Sequence, residues 1–594
     1  MKISKWKLFL PNSKVSIVFL LPSIIAALGI FLKIATGPYW LAANQDPSYQ
    51  YLINSLMILD HKTPNLVDNP GTPLQLLGAV IIALLKPGFS KEKIIEDVIS
   101  RPEFFLNVIH ACLLLLFVVS LAGLGYYAFR KTQNLLFAML LQLPALLFVV
   151  LPTNSYEQYT MTALCNVSPE VLLLTIGNFF TACLLILYFE TRYEKSLLFA
   201  VVWGVVCGLG AATKMTFLPL WLLPVIVMPR FWDKALVFMC SISSFLVFTI
   251  PIMSRYPDVF HWFKKIVVHT GEYGAGAVGI ISAGQFLKQL NGLIQDNVYF
   301  FLMTAACLGF LVFRAGYHLT KPRHSHGDVK RPVWFLFAVT TVSVLQILMV
   351  AKHPSSHYLL PAMGLVGFQL AMIYQSAGGG THLILGKGAP VFLIITIAIF
   401  VAAGINYQRH LNQTSQAALA FSKKIFSDYR GCIIFSYSRS SSMEFALNFA
   451  NEWDWMYPFC EILQQKYPTS VFYSRGRFIF NSFQRQLSLD NLKGLQAAGH
   501  CLLLFGTPSD FVYGFLGVEE IESAGKEKVY KIRFIPSSEA VGEYLMAKDF
   551  ENKKDYRAAY ACALNARQAG LPGMEGYAGR LKRLAFPKPI KNNR

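Results

Sequence analysis

The chain has 594 residues, 54% of them hydrophobic and 14% charged, with a mean hydropathy of +0.44 and a formal net charge of +20. Soluble domains carry about 25% charged residues, so this composition excludes an ordinary soluble globular protein. With no nucleic-acid motif present, the positive balance reads as cytoplasmic-side Lys and Arg in contact with anionic lipid, and not as nucleic-acid binding.

Apolar runs of about 20 residues recur along the chain. They predict eleven spans, near 15–36, 103–129, 134–151, 170–189, 196–212, 215–229, 234–254, 297–315, 333–351, 358–375 and 388–406. The first is too long for a signal-peptide core and has no small-residue cleavage site, so it is read as a retained anchor. The two short runs at 196–212 and 215–229 surround Lys214. Pro73–Leu85 is too short to span and is expected to be re-entrant or interfacial. Pro47–Leu59 is expected to be an amphipathic helix lying on the membrane.

Basic residues set the orientation. Lys2, Lys5, Lys7 and Lys14 precede the first span; Arg130 and Lys131, Arg192 and Lys195, and Arg230 and Lys234 follow at alternate turns. Arg314, Lys321, Arg323, Lys330 and Arg331 form the densest cluster. A cytoplasmic N-terminus puts all of them on one side. The loops 37–102, 152–169 and 255–296, and the polar tail after Tyr407, then face outward.

The tail changes character. Strand-like runs at Cys432–Tyr437, Val471–Tyr473 and Cys501–Phe505 alternate with helical patterns such as Met443–Trp453, which predicts an α/β domain. After Ser537 the pattern is helical, and Lys553 to Ala559 resembles half of a tetratricopeptide-type helix pair. One such unit makes no solenoid. The expected domains are therefore 1–406 in the membrane, with the long outward loop 37–102, then 407–536 as an extracytoplasmic α/β domain and 537–594 as a helical cap. The ten cysteines contain no CxxC pair, and most read as small packing residues. Cys432 and Cys501, in neighbouring strands of an outward domain, are candidates for a disulfide.

Five places carry candidate chemistry. Asp46, just past the first span, is followed by Pro47 and by a polar loop with Tyr49, Asn54, Lys62 and Asp68, then the turn Asn69-Pro70-Gly71-Thr72-Pro73. An ionised group there suits a carboxylate that orients and deprotonates a hydroxyl, while Asp-Pro is also an ordinary helix start. Glu170 follows Pro169 at the head of the fourth span, where a first-turn Glu is also favoured by the helix dipole. Glu157, in the same loop, has nothing distinctive around it. Lys214 interrupts an apolar stretch and should face a cavity, a partner or an interface. Lys352, His353, His357 and Tyr358 form a basic aromatic cluster suited to an anion. Pro354 separates the two His, and no third metal ligand is near. Finally, the loop 255–296 holds His261, Lys264, Lys265, His269, Gly271, Tyr273, Gly274 and Gly276. It lacks the Gly-Lys-Ser/Thr ending of a phosphate-binding P-loop and suits a substrate-covering lid.

In order, Asp46, Pro169-Glu170, Gly208 to Lys214 with Pro219, and Lys352 to Pro361 resemble the GT-C superfamily of membrane glycosyltransferases. The resemblance is to the bacterial dolichyl-phosphate-mannose–protein mannosyltransferase-like branch. It covers roughly residues 15–405 and does not extend to the tail. It implies an all-α polytopic membrane domain of the GT-C type, a polyprenyl-phosphate sugar donor, transfer on the outer face and inversion at the anomeric carbon. Many relatives carry Asp-Glu where this chain has Asp46-Pro47.

On that resemblance Asp46 and Glu170 are the catalytic carboxylates. Lys214, Lys352, His353, His357 and Tyr358 bind the donor phosphate, and Tyr49, Lys62, His269 and Tyr273 line the substrate loop. No resident cofactor beyond the lipid-linked sugar donor is implied, and a divalent metal is left open, with no residue set supporting one. The partners are the bilayer, the lipid-linked sugar and a glycan, lipid or protein acceptor, and the location is a bacterial plasma (inner) membrane. The competing readings are a flippase or transporter, which should show internal repeats and broken helices at the midplane, a glycan polymerase or ligase, and an inactive assembly protein. The transferase reading predicts that Asp46→Asn lowers sugar transfer about 10²-fold or more in membranes with normal protein levels. Full activity of that variant refutes the role of Asp46.

Overall fold

The computed structural model describes residues 13–41, 45–68, 70–146, 163–190, 196–270, 276, 278–279, 283–320, 330–377, 383–437, 442–474, 479–483, 485–506, 516–524, 527–571 and 574–586. Asn69, Glu157, Gly271, Tyr273, Gly274 and the basic residues Lys2, Lys5, Lys7, Arg192, Lys195, Lys321 and Arg323 lie outside these. By internal packing the chain divides into two compact units, Met1–Gly37 with Gln50–Asn412, and Pro38–Tyr49 with Gln413–Arg594.

Among the described residues, eight helices are long and apolar enough to cross a membrane: Val15–Thr36, Pro102–Thr132, Pro169–Phe189, Phe231–Phe248, Val298–Gly316, Lys330–Val350, Ser356–Ser376 and Pro390–Asp428. They correspond to eight of the eleven expected spans. The other three are shorter apolar helices, Leu135–Leu146, Leu197–Thr213 and Met215–Val227. The last two are short because the chain turns extended at Lys214 (φ −159°, ψ 127°) and continues as a 3-10 segment, Met215–Trp221, with Pro219 inside it. The protein is thus mostly helical, with a multi-pass membrane region and a C-terminal sheet.

The short helix Thr72–Leu85 has 14 residues, a rise of about 21 Å against a hydrocarbon core of about 30 Å. It starts after Gly71, whose φ of +63° is a left-handed conformation suited to glycine. The helix Gln45–Leu59 differs from the expected surface helix. Every residue from Ser48 to Met57 is buried, so that stretch has no water-facing side. Two of its polar residues, Asn54 and Ser55, which suggested amphipathicity, bond internally. Ser55 Oγ donates to Tyr51 O at 2.7 Å, and Asn54 Nδ2 donates to Gln50 O at 2.7 Å and Asn65 Oδ1 at 2.8 Å.

Side-chain contacts join the connecting segments into two sets. In the first, Arg255 Nη1 donates to Asn65 O at 3.2 Å, and Val67 packs with Ile252 and Val259. His353 Nε2 bonds Ile266 O at 3.0 Å, and Asn297 Nδ2 donates to Ser356 Oγ at 3.1 Å. In the second, Lys131 pairs with Glu190 at 2.8 Å, Arg331 donates to Leu187 O at 2.7 Å, and Asn134 Nδ2 donates to Tyr374 Oη at 3.0 Å. The loop after the first span and the 255–268 segment therefore meet, and Lys131 and Arg331 both bond the segment Leu187 to Glu190.

The helix Ser196–Thr213 lies hard against Phe231–Phe248. A Cβ on Gly204 would sit 2.5 Å from Cys240 Cβ, and one on Gly208 2.3 Å from Ser241 O. Small residues four apart allow this backbone approach, as is common between membrane helices.

The second unit carries a seven-stranded sheet in the order β4-β3-β2-β1-β5-β7-β6. Its strands are β1 (Cys432–Tyr437), β2 (Val471–Ser474), β3 (Ile479–Ser482), β4 (Arg485–Leu487), β5 (Cys501–Gly506), β6 (Gly517–Ala524) and β7 (Glu527–Phe534). β1 runs parallel to β2 and β5, and the outer pairings are antiparallel. One face packs Phe435, Leu502, Leu504 and Tyr530 against Leu489, Leu492, Ala540 and Tyr544. The other packs Leu503, Phe505 and Val529 against Phe421 and Ile425. The latter two belong to the single helix Leu383–Asp428, which runs unbroken through the boundary expected at 406/407. Three helices close the chain, Ser538–Asn552, Tyr556–Gln568 and Met574–Ala585, packed through Ala547, Ala559, Ala563 and Ala578.

Cys432 and Cys501 are register partners in β1 and β5 and form a disulfide across 69 residues of sequence. Closing a loop of that length stabilises the folded state by about 4 kcal/mol in the chain-entropy account. Cys501→Ala is expected to lower hydrogen-exchange protection of β1 and β5 in the detergent-solubilised chain by about 10³-fold, which native-state exchange with mass-spectrometric readout checks.

Candidate functional site

The site begins with a helix start and a helix break. Pro169 and Glu170 open the helix Pro169–Phe189, so the Glu170 carboxylate sits in the first turn, where the helix dipole favours negative charge. Lys214 stands at the extended break after Thr213. Its amide still donates to Gly210 O at 2.9 Å, and its carbonyl accepts from Phe217 N at 2.9 Å. Phe217 folds back on the helix end because residue 210 is glycine: a Cβ there would lie 2.4 Å from the ring. The ring is then held edge-on to Phe180, 5.6 Å away, which in turn meets Trp203 at 5.6 Å. All three aromatic residues are fully buried. This packing fixes the Lys214 break against the helix that carries Glu170.

The result is a salt bridge from Lys214 Nζ to Glu170 Oε1, with side chains only 4% and 8% exposed. The Tyr358 ring centroid lies 4.9 Å from the same ammonium, a cation–π contact. The His357 and Tyr358 ring centroids are 4.2 Å apart, and His357 Nδ1 shares a 2.8 Å hydrogen bond with Ser355 Oγ. His357 is also close enough to Glu170 to interact with it electrostatically. Gln346, fully buried on the Lys330–Val350 helix, joins the two sides: its Nε2 donates to Thr216 O at 3.1 Å and to Tyr358 O at 2.8 Å.

The structure therefore brings together Glu170, Lys214, His357 and Tyr358. Lys352 and His353 are engaged differently. Lys352 Nζ donates to Val267 O and His353 Nε2 bonds Ile266 O, the last carbonyls of the helix Tyr256–Val268, where cationic side chains are favoured. Partial burial lowers the Lys352 pKa from its ordinary value. Lys62 pairs with Asp60 at 2.8 Å, and His269 Nδ1 bonds Gly276 O at 3.1 Å. Asp46 and Tyr49 fall in the other packing unit. Asp46 is exposed with extended backbone (φ −99°, ψ 117°), and Tyr49 is fully buried. Among the described residues no group of three or more His, Cys, Asp or Glu could hold a metal ion.

Sequence reading passed over several residues that shape this region. Lys33, near the end of the first span, donates to Gly37 O and has Glu103 as an electrostatic neighbour. His110, buried on the Pro102–Thr132 helix, bonds Leu164 O at 2.8 Å and so holds the segment that leads into Glu170. An ionisable residue inside an apolar run is a readable signal, and Lys33 and His110 both carry it. Gln346 gives no such signal.

Compared with known proteins, the chain matches no family model and no curated protein sequence.

A buried pair that loses one partner leaves an uncompensated charge, at a cost of about 3–5 kcal/mol, whereas an apolar pair of similar volume is often tolerated. Lys214→Met alone is expected to lower the thermal stability of the purified protein strongly. Lys214→Met combined with Glu170→Met is expected to recover most of that loss. Additive losses in thermal unfolding would show that the two groups do not depend on each other.

Proposed function

We propose that the protein is an integral-membrane glycosyltransferase of the GT-C type. It moves a sugar from a polyprenyl-phosphate donor to a lipid, glycan or protein acceptor, with inversion. The observation that carries this reading is the Lys214 ammonium, buried between the Glu170 carboxylate and the Tyr358 ring with His357 beside it. An ammonium has three N–H donors, and the Glu170 bond uses one of them.

In the proposed reaction the acceptor hydroxyl oxygen attacks the anomeric carbon while the bond from that carbon to the phosphate oxygen breaks. The electron pair leaves with the phosphate, and Lys214 and His357 stabilise the charge that develops on it. The acceptor proton passes to a carboxylate base, and Glu170 is the group that positions Lys214. A phosphate is already stable as an anion, so no dedicated general acid is needed.

The proposed orientation is N-terminus cytoplasmic and tail extracytoplasmic, in a bacterial inner membrane. Two features support the orientation. Disulfides persist in oxidising compartments, and the tail has one between Cys432 and Cys501. Lys131 and Arg331 gather on a shared segment, as cytoplasmic-side basic residues do.

Mass spectrometry of lipid-linked and envelope glycans, with and without the gene, tests the reading. Loss of a single sugar from a glycan or protein is the expected result, and the stable Lys214→Met, Glu170→Met variant should reproduce it. Accumulation of an intact lipid-linked glycan on the cytoplasmic face would overturn transfer in favour of flipping.

A further inference from the structure

Ser168 is the N-cap of the Pro169–Phe189 helix, with extended backbone at φ −138° and ψ 155°. In that position a serine oxygen ordinarily accepts a hydrogen bond from the amide two or three residues on. Four other serine N-caps in this chain do so: Ser90 from Lys93 N, Ser442 from Phe445 N, Ser488 from Asn491 N and Ser537 from Ala540 N. Ser168 makes no cap bond. It is only 3% exposed, and its Oγ has no hydrogen-bond partner among the described residues. Leaving a buried polar atom unsatisfied is costly.

Two more such atoms belong to Gln346 and to Thr216, the latter near Lys214 in the chain. Gln346 uses Nε2 on the carbonyls of Thr216 and Tyr358, while its Oε1 is buried without a partner among the described residues. Thr216 Oγ1 is in the same condition. Ser168 is two residues from Glu170, Thr216 is two residues from Lys214, and Gln346 binds both the Thr216 segment and the Tyr358 segment. Three orphaned neutral groups thus lie on the segments that carry or bridge one ion pair. Charged ligands are served by Lys214. The neutral groups, two hydroxyls and one amide acceptor, match the hydroxyls of a polyol.

We propose that Ser168, Thr216 and Gln346 form a sugar-reading shelf that hydrogen-bonds the ring hydroxyls of the donor, beside the phosphate held by Lys214. The shelf rests on the glycosyltransferase reading given above. It assigns recognition of the sugar to neutral groups and recognition of the phosphate to the cation.

The test is binding by the full-length protein in nanodiscs. The probes are polyprenyl-phosphate mannose, polyprenyl-phosphate glucose and polyprenyl phosphate without a sugar. The variants are Ser168→Ala and Thr216→Val, which remove one hydroxyl each, and Ser168→Thr, which keeps it. Thermal unfolding confirms that each variant folds. Each hydroxyl deletion is expected to weaken the better-bound sugar probe about 5- to 100-fold, with bare polyprenyl phosphate changed by less than about 2-fold. Ser168→Thr should restore the sugar probe. Equal losses on all three probes, or no loss on any, would overturn the shelf and leave the transferase reading standing, with buried water as the partner in the second case. Failure of the unmodified protein to bind any of the three would overturn both.

Discussion

The cost of placing charge where water is scarce governs the membrane region. Lys214 and Glu170 are each almost fully enclosed, and neither is tolerable alone in that setting. Their pairing therefore requires a specific geometry. A helix must start at Pro169, another must end at Thr213, and the chain between must be pinned so that the ammonium reaches the carboxylate. Gly210, Phe217, Phe180 and Trp203 provide the pinning through packing, and Gly208 sets the approach of the neighbouring helix. Arrangements that separate the pair are excluded energetically, so the ion pair specifies the packing even where its net stabilisation is small. Tyr358 and Gln346 complete the enclosure from the segment that leads into the Ser356–Ser376 helix.

Much of this membrane architecture was legible in the chain. Long apolar runs produce long helices because every backbone group must be satisfied within the helix when lipid surrounds it, so eight expected spans correspond to eight long helices. Glu170, Lys214, His357 and Tyr358 stood out because charge and aromatic groups beside an apolar run are rare. Their mutual contact was not legible. It depends on the side-chain packing around Phe217 and on Gln346, a polar residue inside a span with nothing around it to mark its role. Lys352 and His353 carried the same sequence signal as His357, yet their partners are helix-end carbonyls. Composition identifies groups that need a partner but does not say which partner they find. The helix Gln45–Leu59 makes the same point, since its Asn54 and Ser55 imitate a wet face while bonding inward.

The tail shows a similar division. β1, β2 and β5 were readable because they sit at the centre of the sheet, and strands covered on both faces are continuous apolar runs. The other strands are shorter or carry mixed charge. β6 and β7 bear cross-strand pairs, Lys528 with Glu520 at 2.7 Å and Arg533 with Glu519, and β6 is an edge strand. Charge of this kind discourages edge-to-edge association, and it also erases the alternating apolar pattern by which a strand is recognised. The disulfide candidate was readable for the same reason as the central strands: both cysteines begin them.

Asn54 has a further consequence for the loop that follows its helix. Its Oδ1 accepts from Asn65 N at 2.7 Å and Leu66 N at 3.0 Å, while its Nδ2 donates to Asn65 Oδ1. Gln75 then takes up Leu66 O at 3.0 Å. Surface loops generally absorb insertions at small entropic cost. This one is measured against a side chain at each end, so one added residue between Leu59 and Asn65 would present the wrong amides to a buried acceptor. The spacing in this part of the chain is accordingly a fixed dimension, and it should resist insertion and deletion more strongly than substitution.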